Sequence, residues 1–177
     1  MSQTIFITGG ARSGKSRLAE ERAERFGERL GYLATAQIFD DEMGHRVDRH
    51  RQRRGDRWTT TEEPYRLAAA LQTMDGTFDA ILVDCVTIWL SNLLLQQEET
   101  TRQQEALILA EVQHLAATLR SMSTPVILVS NEVGMGIVPE HRLGRIFRDL
   151  AGEANQILAA AADEVQAVIS GIPLKLK

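Results

Sequence analysis

Cysteine is almost missing from this 177-residue chain, in which Cys85 stands alone. A lone thiol excludes an intramolecular disulfide and any zinc site built on paired cysteines, and it suits a reducing compartment. Lysine is also scarce: Lys15, Lys175 and Lys177 are the only three, so most of the positive charge is arginine. No apolar run approaches the roughly 18 residues that a membrane span requires. The start, MSQTIFITGG, has no basic stretch ahead of its short apolar segment, so a secretory signal is not expected either. The formal net charge of −4 argues against a protein that holds nucleic acid electrostatically. These absences point to a cytoplasmic protein without a membrane span or a nucleic-acid partner.

What is present is ordinary in amount and informative in arrangement. With 44% apolar and 25% charged residues, the chain has the composition of a globular protein. Its length suits one domain over residues 1–177, large enough to bury a core without staples. Short apolar runs alternate with amphipathic stretches, the pattern of an α/β fold with a mostly parallel sheet. Strands are predicted over Thr4–Thr8, Leu30–Thr35, Ala80–Asp84, Val126–Ser130 and Val165–Ser170. Helices are predicted over Lys15–Phe26, Asp41–Arg54, Ile88–Gln97, Arg102–Met122 and Leu143–Ala162. In the fourth helix Ile108, Val112, Leu115, Leu119 and Met122 step by four and three, which makes one apolar stripe. Gln96–Gln104 is the most polar stretch and reads as an exposed turn. Ile88–Leu90 and Leu93–Leu95 hold more apolar surface than one helix on one sheet needs, which suits either subunit contact or a fully buried helix.

Residues Gly9, Gly10, Ala11, Arg12, Ser13, Gly14, Lys15 and Ser16 match G-x-x-x-x-G-K-[ST] in full. The context matters more than the pattern. An apolar strand feeding a glycine-rich turn into a helix aims successive backbone N–H groups at one spot, and the helix dipole adds positive potential there. Lys15 is placed to reach the β- and γ-phosphates, and the Ser16 hydroxyl to ligate Mg²⁺. Asp84 closes the run Ala80–Val83, the expected position of the carboxylate in the Mg²⁺ shell. Cys85 beside it reads as a small buried residue, not a nucleophile.

Six arginines against two aspartates lie between Arg46 and Arg57, a dense positive segment in an acidic chain. Guanidinium groups suit bidentate phosphate contacts. Arg46, His50, Arg53, Arg54 and Arg57 share one helical face by spacing. Like-charge proximity disfavours the imidazolium form of His50, and a neutral ring nitrogen is a candidate nucleophile toward a nucleotide phosphate. A solvated basic helix bearing a surface histidine fits the same residues. His45, His114 and His141 read as solvated.

Together these stretches carry a resemblance. ITGGARSGKS, YLATAQIFDDEM, RVDRHRQRRGDRWTTTEEP, ILVDCVTIWLSNLL, VSNEVGMGIVP and RIFRDLAGEANQILAAAADEV through SGIPLKLK span nearly the whole chain. In them the chain closely resembles the bifunctional adenosylcobinamide kinase/adenosylcobinamide-phosphate guanylyltransferase family of cobalamin biosynthesis. The resemblance implies a P-loop NTPase fold with a RecA-like, mostly parallel sheet flanked by helices, assembled as a homotrimer. It implies phosphorylation of the aminopropanol hydroxyl of adenosylcobinamide from GTP or ATP. Transfer of GMP from GTP through a guanylylated histidine then gives adenosylcobinamide-GDP and pyrophosphate. The histidine falls on His50. Nucleotide-binding positions fall on Gly9–Ser16, on Ala34, Thr35 and Ala36, on Arg51, Gln52, Arg53 and Arg54, on Glu62 and on Asp84. Asn131 and Glu132, beyond the Val126–Ser130 strand, have no assigned role.

Two other readings fit parts of the sequence. A single-activity P-loop kinase acting on another small alcohol would make His50 dispensable. A nucleotide-switched module binding RNA or an acidic partner through the basic segment would show salt-sensitive association, but the 5% aromatic content is poor for base stacking.

Overall fold

A computed structural model of the chain describes residues 3–37, 55–96 and 101–177. Seven strands form one sheet. In chain order they are β1 (Thr4–Gly9), β2 (Leu30–Ala34), β3 (Trp58–Glu62), β4 (Ala80–Asp84), β5 (Val126–Val129), β6 (Glu164–Ile169) and β7 (Ile172–Lys175). The helices are α1 (Lys15–Ala23), α2 (Leu67–Met74), α3 (Val86–Leu95), α4 (Arg102–Ser121) and α5 (Arg142–Ala161).

The spatial order is β3-β2-β4-β5-β1-β6-β7, with every pairing parallel except that of β6 with β7. Parallel strands buried on both faces read as continuous apolar runs, and β1, β4 and β5 do so. Ile5, Ile7, Leu30, Tyr32, Leu82, Ile127 and Val129 form one core face, against Ala19 and Ala23 of α1. Phe6, Leu33, Ile81, Val83 and Leu128 point to the other face, where they pack with α2 through α5. From β1 the chain crosses to β2 on one side, whereas β6 closes the other side. The loop after β1 therefore lies at a topological switch point, where open α/β sheets take ligands.

All five predicted strands form, each within a residue or so at its ends; four of the predicted helices also form, with the first ending at Ala23 instead of Phe26 and the third running Val86–Leu95. The predicted Asp41–Arg54 helix lies outside the described residues. β3, β7 and α2 are additional. β3 reads WTTTE and buries only Trp58, so it has no apolar run to mark it. β7 is exposed throughout and holds Pro173, which an edge strand tolerates. Of the expected Gln96–Gln104 turn, residues 97–100 lie outside the described residues, and Thr101 caps α4 in a capping box with Gln104. The apolar excess of α3 is internal: Val86, Trp89, Leu90 and Leu94 are buried, and the indole N–H of Trp89 donates to Tyr65 O at 2.8 Å. Leu95 is the exposed member. No helix among the described residues is long and apolar enough to cross a membrane.

Candidate nucleotide site

The turn between β1 and α1 is held from both sides. Gly9 has φ 153°, and a Cβ there would sit 2.4 Å from Val168 O of β6, so only glycine fits. Gly14 caps α1 at φ 99° in the left-handed region. Arg12 also adopts a positive φ of 56°, although it has a side chain. The Gly171 N–H in the β6–β7 turn donates to Ser13 O at 2.8 Å, and Lys15 Nζ donates to Gly10 O at 2.9 Å across the loop. The first turn of α1 has neither a side-chain cap nor an acidic residue. Its amide donors and its dipole are therefore directed toward an anion. Thr8 Oγ1 and Ser13 Oγ are buried without a hydrogen-bond partner among the described residues. Buried orphan hydroxyls beside a glycine cradle fit a phosphate-bearing ligand.

The neighbouring strand ends align in one row. Glu62 of β3 pairs with Ala34 of β2, which pairs with Asp84 of β4, which pairs with Val129 of β5. Asp84 thus lies two strands from β1, roughly 10 Å by inter-strand spacing. Its Oδ2 accepts from the Tyr32 hydroxyl at 3.1 Å. Thr35 is fully buried; its Oγ1 accepts from Cys85 N and donates to Cys85 O, both at 2.8 Å. Asn92 Nδ2 donates to Thr35 O at 2.7 Å and to Pro64 O at 3.0 Å, which staples the ends of β2 and β3 to α3. Glu62 is exposed, whereas Glu63 is occupied: its Oε1 accepts from Tyr65 N and Arg66 N. The Arg66 amide leads in holding the Glu63 carboxyl below its ordinary pKa. Burial pushes the Cys85 thiol up to about 12, which makes it an inert core residue, as its sequence context suggested.

The segment after β5 is locked by a closed ring of hydrogen bonds. Ser130 Oγ donates to Asn155 Oδ1 at 2.6 Å, and Asn155 Nδ2 donates to Asn131 O at 3.2 Å. The Asn131 N–H donates to Thr87 Oγ1 at 2.6 Å. Because the Ser130 proton is already used, Thr87 must donate in the 3.2 Å contact with Ser130 Oγ, which fixes the direction around the ring. The Glu132 N–H then donates to Gly9 O at 3.0 Å and fastens this segment to the phosphate loop.

The structure therefore places Gly9–Ser16, Ala34–Ala36, Glu62 and Asp84 along the C-terminal edge of the sheet, with Glu62 four strands from β1. His50, Arg51, Gln52, Arg53 and Arg54 lie outside the described residues. His114 and His141 are exposed. Tyr32 and the ring through Thr87, Ser130 and Asn155 were not singled out by sequence; strand-end position is the one signal that marks their neighbourhood.

Ser16 and Asp84 offer a hydroxyl and a carboxylate, the hard oxygen donors that suit Mg²⁺. Among the described residues no cluster of three or more His, Cys, Asp or Glu side chains offers a full cage.

The model of one protein family, cobinamide kinase / cobinamide phosphate guanyltransferase, matches residues 5–176. The chain belongs to this family. It is 49% identical to the bifunctional adenosylcobalamin biosynthesis protein CobU of Salmonella typhimurium, over 98% of this chain and 99% of that protein. With CobU of Escherichia coli the identity is 46% over the same shares. With CobP of Pseudomonas aeruginosa it is 44%, over 97% and 95%. Among solved structures, the RadB recombinase superposes with a TM-score of 0.50 at 16% identity, covering 93% of this chain and 73% of that one. This likeness concerns the fold: a RecA-like P-loop NTPase sheet, as the sequence implied.

Proposed function

We propose that this chain is a bifunctional cobinamide-phosphorylating and guanylyl-transferring enzyme, working as one cytoplasmic catalytic domain in a homotrimer. The observation that carries the proposal is end-to-end identity of 44–49% with three proteins named as bifunctional adenosylcobalamin biosynthesis enzymes. The glycine cradle with its uncapped α1 and orphan hydroxyls supports nucleotide binding at the same edge of the sheet as Asp84.

In the first reaction the phosphate loop holds GTP or ATP, and Lys15 neutralises charge on the β- and γ-phosphates. Ser16 and Asp84 would hold Mg²⁺, which would supply neutralisation of phosphate charge. The aminopropanol hydroxyl of adenosylcobinamide attacks the γ-phosphorus, its proton leaves to solvent or a base, and the nucleoside diphosphate departs.

In the second reaction a ring nitrogen of His50 attacks the α-phosphorus of GTP, and pyrophosphate leaves. A phosphate oxygen of the corrinoid product then attacks the same phosphorus and frees the histidine. Arg51, Gln52, Arg53 and Arg54 would contact the phosphates, and Glu62, exposed beside Ala34, would accept from the guanine N–H donors. Ala34, Thr35 and Ala36 would line the nucleotide, with Thr35 held rigid through Cys85.

The test is incubation with GTP labelled at the α-phosphate, followed by denaturation and peptide mapping. The label should map to His50 through an acid-labile, alkali-durable bond, and His50→Asn should abolish labelling while some kinase activity remains. Label on Lys15 or on His45, or undiminished labelling of His50→Asn, would overturn the covalent step. Light scattering showing a stable monomer at micromolar concentration would count against the trimer.

A further inference from the structure

In the VGMGIVP segment that follows Glu132, Val133 packs against the core, whereas the apolar side chains of Met135, Ile137 and Val138 lie in water. Met135 is 90% exposed, Ile137 96% and Val138 59%, and Leu143 at the start of α5 is 41% exposed. Scattered exposed apolar residues are ordinary, but four within nine positions is a local concentration that suits a binding surface. The loop that carries them is tethered at both ends. Glu132 N donates to Gly9 O, and Gly134 N to Glu132 Oε1 at 3.0 Å. At the far end Arg145 Nη1 donates to Pro139 O at 3.0 Å and to Glu140 O at 2.6 Å. The tips are therefore presented by a fixed base.

Its place in the sheet limits what can occupy it. The loop leaves β5, which lies between the phosphate-loop strand β1 and the Asp84 strand β4. A nucleotide held by the phosphate loop and by Asp84 would span the end of β5, and an acceptor hydroxyl approaching its terminal phosphate would pass this loop. The other exposed apolar residues near the phosphate loop, Ile169 and Ile172, lie across β1 on the β6–β7 side, away from Asp84.

Resting on the cobinamide kinase reading above, we propose that Met135, Ile137 and Val138 form the platform on which the corrinoid macrocycle lies. A broad ring that carries methyl groups between its amide arms matches an apolar surface of this kind, and methionine adapts to irregular partners. From there the aminopropanol arm extends over Glu132 toward the phosphate loop.

Equilibrium dialysis of cobinamide, read by its own visible absorbance, tests this on the full chain. The Met135→Ser/Ile137→Ser double variant should bind cobinamide at least about tenfold more weakly, the scale expected for two truncated apolar contacts. Its KM for cobinamide should rise in step. Covalent labelling by GTP, thermal unfolding and molar mass by light scattering should be unchanged, and Ile137→Leu should bind within about twofold of the parent. Parental cobinamide affinity in the double variant would overturn the platform. So would a fall to a smaller assembly that alone accounts for the lost affinity, since the loop would then be a subunit contact. A parent protein that neither binds nor phosphorylates cobinamide would instead overturn the functional reading itself.

Discussion

The Tyr32 hydroxyl donates a 3.1 Å hydrogen bond to Oδ2 of Asp84. The two residues are diagonal neighbours, because Tyr32 pairs with Leu82 and Ala34 with Asp84 in the β2–β4 register. Trp58 braces the tyrosine edge-on, with ring centroids 6.3 Å apart at an interplanar angle of 79°. One oxygen of Asp84 is thus spoken for and the carboxylate plane is held. Tyr32 is a positioning residue for that carboxylate. Tyr32→Phe should cost about 1 kcal/mol of stability and raise the Mg²⁺ concentration for half-maximal kinase rate several-fold. KM for GTP at saturating Mg²⁺ should move little. An unchanged Mg²⁺ requirement would leave Tyr32 a packing residue only.

On the mechanism proposed above, in which both reactions use a triphosphate held in the phosphate loop, Lys15→Ala should impair both. A loss of 100-fold or more in kcat/KM is the scale for removing one preorganised charge, about 3 kcal/mol. The lysine is buried and bonded to Gly10 O, so circular dichroism must accompany the kinetics. Normal kinase turnover by the folded variant would remove Lys15 from the site.

The ring through Thr87, Ser130, Asn155 and the Asn131 backbone has no spare partner. Asn155→Leu keeps volume but removes the ring bonds to the Ser130 hydroxyl and the Asn131 carbonyl, leaving Ser130 only its Thr87 contact. An unsatisfied group costs about 1–3 kcal/mol, so urea denaturation should show a loss of at least about 1 kcal/mol. A neutral outcome would mean that water enters and satisfies both groups.

Asp75, just past α2, accepts from Ser123 N, Ser123 Oγ and Thr124 N, and so ties α2 to the α4–β5 connection. Burial works against its charged form, but the donors of Ser123 and Thr124 outweigh it and lower its pKa from 3.8 to about 2. A depressed folded-state pKa gives stability that is full above the unfolded value and lost as pH falls through the folded one. The stability difference between the parent and Asp75→Asn should therefore be constant from pH 7 to about 5. It should shrink between about 4 and 2. A pH-independent difference in urea unfolding would disprove the linkage.

Sequence alone determined the parts of this protein that depend on local pattern. The glycine spacing of Gly9 and Gly14 and the following Lys15-Ser16 specify a phosphate loop, because backbone freedom and donor placement are properties of neighbouring residues. Continuous apolar runs specify β1, β4 and β5, because strands buried on both faces admit little else. The stretches shared with the cobinamide kinase family extend from the phosphate loop to the last strand. Tertiary structure decided what depends on register and on residues distant in the chain. Tyr32 meets Asp84 because β2 lies beside β4, and Asn155 closes a ring with Thr87 because α5 and α3 pack on the same face of the sheet. β3 exists because β2 offers it an edge, with only Trp58 buried to announce it. Hydrogen bonds across dozens of residues leave no periodicity behind, and the apolar tips of Met135 and Ile137 look like core residues until the fold leaves them in water.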